Sequence, residues 1–308
     1  MHRFLEAAME DRGTHILDAI GNTPMIKIRN LSQGEILAKA EFLNPGGSIK
    51  DRIAAHIIGQ AEKRGELRPG SVIIEATSGN TGIGMVLVGR QRGYRVIIIM
   101  PENMSEERKK LIRALGGELV LTPAERSLDG CLEKLEELKV EYEKDVFVPN
   151  QFVNPENPEA HYLTTGPEIW KQAGGQVDVF VAGVGSGGTL MGIGRYLKEK
   201  NPKLLLVAVE PRNNTALLGR EPGLHVIQGI GDGFVPPVVD KNLIDTVMTV
   251  TDEDAVETAR HLAKNCGLLV GTSSGANVWC ASHFADGKRS VVTVLPDRVE
   301  RYFSSALI

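Results

Sequence analysis

Val72 to Pro101 reads VIIEATSGNTGIGMVLVGRQRGYRVIIIMP. A short apolar run, Val72–Glu75, enters a turn rich in glycine and hydroxyls. A helical pattern follows over Thr81–Arg92, Gly93 interrupts it, and a second apolar run spans Arg95–Ile99. Strand, glycine turn, helix and strand in that order make a unit of a parallel sheet. Val96–Met100 has no polar interruption, as expected of a strand covered on both faces.

The alternation extends along the chain. Further strands are expected at Met25–Arg29, Ile36–Glu41, Glu118–Leu121, Val146–Val148, Asp178–Ala182, Leu204–Glu210 and Ser290–Leu295. Further helices are expected at Ile49–Arg64, Glu106–Ala114, Leu128–Glu143, Thr189–Glu199, Thr251–Asn265 and Gly275–Ala285. Glycines mark helix stops at Arg64-Gly65 and Leu115-Gly116-Gly117. The fold class is α/β, with parallel sheets covered by helices on both faces. Asn150–Pro158 (NQFVNPENP) breaks the pattern and reads as the crossing between two α/β domains. Pro211–Pro237 is long, rich in glycine and proline, and without clear periodicity, and loops of that length are usually functional or mobile.

Composition narrows the function classes. Of 308 residues, 42% are hydrophobic and 24% charged, with a net charge of -4, so no broad basic surface for nucleic acid is expected. No apolar run approaches the ~20 residues of a membrane span. Cys131, Cys266 and Cys280 are scattered, with neither metal-ligand spacing nor a disulfide framework, and a reducing cytoplasm suits them as core filler. Acidic residues interrupt Met1–Glu10, which reads as a short amphipathic helix rather than a signal peptide.

Four segments carry chemistry. In Asn44-Pro45-Gly46-Gly47-Ser48-Ile49-Lys50-Asp51-Arg52, Ser48 is the expected N-cap and Lys50 falls in the first helical turn. The positive end of a helix favours a neutral amine there, and a lysine of lowered pKa is a nucleophile able to form a Schiff base. A surface lysine is the plain alternative. Thr77-Ser78-Gly79-Asn80-Thr81-Gly82 offers hydroxyls, an amide and backbone N–H groups suited to a carboxylate, although a capped loop uses the same residues. Gly183-Val184-Gly185-Ser186-Gly187-Gly188-Thr189 suits a phosphate, but its glycines also match G-x-G-x-x-G, with Glu210 where a ribose-binding acid would sit. Gly271-Thr272-Ser273-Ser274-Gly275-Ala276 opens a further helix and alone is an ordinary cap. An amine-bearing lysine, a carboxylate cradle and a phosphate cradle together fit a pyridoxal phosphate enzyme acting on an amino acid better than a dinucleotide oxidoreductase.

NPGGSIKDR, TSGNTG, QFVNPENPEAHY, TTGPEIW, GSGGT, GIGDGFVP and GTSSGA follow one another in the order that resembles the cysteine synthase (O-acetylserine sulfhydrylase) and cystathionine β-synthase family, fold-type II pyridoxal phosphate enzymes. The resemblance spans about Ile16 to Tyr302. It implies two three-layer α/β/α domains like the tryptophan synthase β-subunit, with the cofactor in the cleft between them. Residues 45–153 would form a smaller mobile domain, and 1–44 with 154–308 a larger one. It implies Lys50 as Schiff-base lysine and general base. Asn80 would contact the cofactor 3′-oxygen, Gly185, Ser186, Gly187, Gly188 and Thr189 the phosphate, and Ser273 the pyridine nitrogen. Thr77, Ser78, Gly79, Thr81 and Gln151 would bind the substrate carboxylate, and no metal is expected. A neutral hydroxyl facing the pyridine nitrogen suits β-elimination better than racemisation or transamination.

The implied reaction is β-replacement, L-cysteine from O-acetyl-L-serine and sulfide through an α-aminoacrylate. Homocysteine as nucleophile, or O-phosphoserine as activated serine, are the alternatives; Arg212 and Arg220 read as solvated loop residues rather than as a phosphoserine site. The resemblance further implies a cytoplasmic homodimer, with Met1–Arg12 packing across it, and serine acetyltransferase as a candidate partner. Asp232, in GIGDGF, and Asp297, in LPD, stand where many members carry small residues or serine; they read as a turn residue and a cap, or, if either faces the site, as a partner for the amine of a larger nucleophile such as homocysteine.

Overall fold

The computed structural model describes residues 15–305 and 307, so the helix expected at the N-terminus lies outside the described residues. The strands are β1 Met25–Ile28, β2 Ile36–Lys39, β3 Val72–Ala76, β4 Arg95–Pro101, β5 Glu118–Thr122, β6 Val146–Phe147, β7 Val179–Gly183, β8 Leu205–Pro211, β9 Thr246–Val250 and β10 Val291–Val294. The helices are α1 Lys50–Arg64, α2 Asn80–Gln91, α3 Glu106–Ala114, α4 Ser127–Tyr142, α5 Glu156–Ala160, α6 Gly166–Gln172, α7 Gly188–Lys200, α8 Asp252–Cys266 and α9 Thr272–Ser282. One sheet runs β5-β4-β3-β6, all parallel; the other runs β1-β2-β10-β7-β8-β9. The second sheet departs from the expected parallel order at its edge, where β1 pairs antiparallel with β2.

Alternation within the strands builds three layers twice. In the smaller sheet, Ile73, Val96 and Ile98 pack with Ile53, Ile57, Ile83 and Val86 of α1 and α2. The opposite face sets Val72, Ile74, Ile97 and Ile99 against Cys131, Leu135 and Leu138 of α4. In the larger sheet, Val179, Val181, Val207 and Val209 face Ala255, Leu262, Ala276 and Val278 of α8 and α9. Phe180, Leu206, Ala208 and Val292 face Ile169, Leu190, Ile193 and Leu197 of α6 and α7.

The crossing is more ordered than its composition suggests. After Asn150–Asn154 the chain winds α5, a π-turn at His161–Thr165 and then α6 without a break. Pro155 precedes α5 and Pro158 lies in its first turn, where a missing N–H costs nothing. The π-turn buries His161, whose Nδ1 lies 2.9 Å from Thr165 Oγ1.

A buried charge cluster pins the start of α1. Arg52, its side chain 2% exposed, donates from Nε to Glu41 (2.7 Å) and from NH2 to Glu168 (2.7 Å). Lys39 Nζ lies 2.7 Å from the same Glu168 carboxylate. Burial alone would raise the Glu168 pKa, but hydrogen bonds from Arg52 and the two cations hold it down at about 2. The cluster ties α1 to β2 and α6, and Lys50 stands two residues before Arg52.

Candidate active site

Lys50 is the first residue of α1. Ile49, one residue later than expected, occupies the cap position, while the fully buried Ser48 accepts the Lys50 backbone N–H on its Oγ at 3.3 Å. The Lys50 side chain keeps some surface in the cleft, and its Nζ lies 3.3 Å from Ser186 Oγ. Burial lowers the amine pKa, and the charges of Asp232 and Asp297 pull it back upward.

Ser186 belongs to the glycine turn between β7 and α7. Gly187 is left-handed, with φ of +85°, and a Cβ there would meet Val239 Cγ2 at 2.4 Å. A Cβ on Gly185 would lie 2.3 Å from Gly229 O, and one on Gly188 would lie 1.8 Å from Asn157 Oδ1. At Gly185, Gly187 and Gly188 the turn therefore has room only for backbone, and the first N–H groups of α7 have no partner within the helix. Ser186 Oγ also accepts from Asn157 Nδ2 at 3.0 Å, and Thr189 Oγ1 lies 3.4 Å from His161 Nε2. Asn157 Oδ1 and the buried His161 ring thus back this turn. Sequence reasoning gave neither residue a role, although both lie in QFVNPENPEAHY.

The second wall follows β3. α2 begins at Asn80, one residue earlier than expected, with Gly79 as its cap. Gly79 N–H donates to Thr77 Oγ1 (3.2 Å), and Thr81 Oγ1 donates to Gln151 Oε1 (2.6 Å). Beneath it, the buried Glu75 accepts the Asn150 N–H at 2.9 Å, and burial raises its pKa to about 7. Arg108 of α3 donates to Ser78 O at 3.1 Å.

A cavity of 630 Å³ is lined by Lys50, Thr77, Ser78, Gly79, Asn80, Thr81, Gln151, Ser186 and Asp232. A smaller one of 50 Å³ shares Lys50, Asn80 and Ser186 and adds Gly185, Gly187, Thr189 and Ser273. Every expected site residue except Gly188 lines one of the two; Gly188 packs against Asn157 and opens α7. Ser273, in the first turn of α9, is 3% exposed.

The structure decides three open readings. Asp232 is no mere turn residue: it lines the larger cavity, its side chain open to the cleft, close enough for its charge to act on Lys50. Asp297 caps no helix: it is 1% exposed and accepts from Asn80 Nδ2 and Tyr302 OH, each at 2.6 Å. Glu210 turns into its own loop, accepting the Leu217 N–H at 2.9 Å, and lines neither cavity, which removes the acid that a dinucleotide site needs. Arg212 and Arg220 also lie away from both cavities. Among the described residues no His, Cys, Asp and Glu group could hold a metal ion, and no helix is long and apolar enough to cross a membrane.

Comparison with known proteins agrees with this chemistry. The family of pyridoxal-phosphate dependent enzymes matches residues 16–297. A cysteine synthase of Staphylococcus aureus is 46% identical over 300 residues, which are 95% of this chain and 96% of that protein. The crystal structure of a cysteine synthase from Entamoeba histolytica superposes with a TM-score of 0.93 at 39% identity, over 97% of this chain and 91% of that one. An O-acetylserine dependent cystathionine β-synthase from Helicobacter pylori does so with a TM-score of 0.89 at 42% identity, over 96% and 98%.

Proposed function

We propose, since the chain belongs to the pyridoxal-phosphate dependent enzyme family, that it makes L-cysteine from O-acetyl-L-serine and sulfide by β-replacement. The observation that carries the reading is the Lys50 amine at the meeting point of a glycine-only turn and a hydroxyl-rich loop. Relatives named cysteine synthase at 46% and 47% identity support the substrate pair.

The residues fit pyridoxal phosphate: an amine of lowered pKa, a turn whose Gly185, Gly187 and Gly188 have no room for a Cβ, and a buried hydroxyl at Ser273. The N–H groups and hydroxyls of Gly185–Thr189 would hold its phosphate, Asn80 its 3′-oxygen and Ser273 its ring nitrogen. Bound, the cofactor supplies an electron sink for charge at the substrate α-carbon. Lys50 would hold the cofactor through its amine and, when that amine is free, would take the substrate α-proton at Nζ, which requires the neutral form that burial favours. Thr77, Ser78, Gly79, Thr81 and Gln151 orient the substrate carboxylate, with Thr81 and Gln151 already bonded to one another. Ser273, a hydroxyl rather than a carboxylate, tempers the sink and favours departure of a β leaving group.

Residues 45–153 would act as a smaller body closing over 1–44 with 154–308, with residues 85–124 in its moving part, to exclude water. A cytoplasmic homodimer, with serine acetyltransferase as a candidate partner, completes the reading. The test is product analysis on cofactor-loaded protein. O-acetylserine with sulfide should give cysteine and acetate in equal amounts; absence of both overturns the reading.

Asp232 favours a second reading. Its carboxylate opens into the cavity, where it would meet the amine of an amino-acid thiol such as homocysteine, giving cystathionine. Homocysteine turning over faster than sulfide at equal concentration would move the assignment there.

A further inference from the structure

Asn80 is held from two sides by a segment more than two hundred residues away. Arg301 donates from Nε to Asn80 Oδ1 at 2.5 Å, and Asn80 donates from Nδ2 to Asp297 Oδ2 at 2.6 Å. Arginine can only donate, so its bond to Oδ1 fixes which way the amide faces and leaves Nδ2 toward Asp297. Both are themselves fixed. Arg301, 3% exposed, also donates from NH2 to Gly46 O, just before Lys50 in the chain. Asp297 takes a second bond from Tyr302 OH, and Gly271, which caps the Ser273 helix, packs so close that a Cβ there would lie 2.3 Å from Asp297 Oδ1. The segment thus touches the surroundings of Lys50, Asn80 and Ser273.

We propose that Asp297 and Arg301 are positioning residues that lock the Asn80 amide with its NH2 group presented to the 3′-oxygen of the cofactor. Two facts carry this. Asn80 lines both cavities. Its Nδ2 has two protons, and among the described residues only Asp297 accepts from it. The remaining N–H is free for the cofactor, and the Asp297 carboxylate holds the other in place. A flipped amide would set its carbonyl oxygen against an oxygen of the cofactor and forfeit both protein bonds. The inference rests on the proposed contact between Asn80 and the 3′-oxygen.

The test is a double-mutant cycle on the cofactor-loaded enzyme. It reads cofactor affinity and the ratio of the long- to short-wavelength visible bands, which reports hydrogen bonding at the 3′-oxygen. Asn80→Ala alone should weaken affinity about three- to tenfold and lower the band ratio. Asp297→Asn and Arg301→Lys should each move both readouts the same way, by no more than Asn80→Ala. In the Asn80→Ala background neither should change the band ratio further. Band changes that persist undiminished in that background would overturn the inference, because the two residues would then act elsewhere. Unchanged bands in both single variants, with a changed band in Asn80→Ala, would overturn it while sparing the Asn80 contact. An unchanged band in Asn80→Ala would remove that contact itself. Arg301→Lys keeps the charge, so it tests the geometry even if Asp297→Asn folds poorly.

Discussion

Glu75 links stability to pH beneath the carboxylate loop. It is 3% exposed at the end of β3, and its one described hydrogen bond at close range comes from the Asn150 N–H. Burial raises its pKa from 4.5 to about 7, against the pull of the Asn150 and Gln151 N–H groups. A folded-state value above the unfolded one contributes stability that is fully present below the unfolded pKa and is lost as pH rises through the folded value. The window is therefore pH 4.5 to somewhat above 7. A shift of this size gives about 2.5 kcal/mol between about pH 5 and pH 8. Glu75→Gln cannot ionise, and its carbonyl oxygen can still accept from Asn150. Denaturant unfolding with the cofactor at fixed excess, run across that range, reads the difference between the two proteins. Any pH dependence of cofactor affinity affects both alike, so the wild type should lose about 2.5 kcal/mol relative to the variant on going to pH 8. Parallel curves would show that Glu75 is ionised in the folded protein across the range, and the argument from burial would fail.

Lys50→Ala should lose the visible band of the bound cofactor and lower kcat about a thousandfold or more, checked by absorbance and steady-state assay; ordinary turnover would remove Lys50 from the chemistry. Arg52→Ala leaves Glu41 and Glu168 buried without their main partner and should cost about 3–5 kcal/mol in denaturant unfolding. Asp232→Asn should lower kcat/KM for homocysteine about tenfold while leaving that for sulfide within about twofold, because sulfide has no amine to hold; equal losses would make Asp232 a general contributor.

Local chemistry made much of the site legible. A glycine-only turn and a lysine at a helix start leave marks within a few residues, and Glu106–Ala114 runs between its expected ends. Elements whose partners are distant left weaker marks. β9, Thr246–Val250, was missed because it is an edge strand, half-buried along most of its length, and Thr246-Val247-Met248-Thr249 has no clean alternation. α5 was missed because Pro155 and Pro158 read as breakers, whereas prolines before or in a first helical turn begin helices. Asp297 and Asp232 illustrate the same limit at the site. Asp297 meets Asn80 across 217 positions, and Asp232 meets Lys50 only because the loop after β8 folds back over the cleft. Periodicity carries no information about contacts at that separation.

The two sheets meet through polar bonds, and that gives the site its character. Lys50 to Ser186, Asn80 to Asp297 and Arg301 to Gly46 all join residues that sit on or beside different sheets. The segments that supply them follow the carboxyl ends of β2, β3, β7 and β10, where parallel sheets leave backbone N–H groups and helix starts unfilled. A polar seam can part and re-form at less cost than an apolar core can be opened, because water replaces the lost partners. The same water must be absent while charge develops on the substrate. On the proposed reading, a ligand held from both sides, by the turn at Gly185–Thr189 on one sheet and the loop at Thr77–Thr81 on the other, would meet both demands: the bonds that hold it would also draw the seam shut.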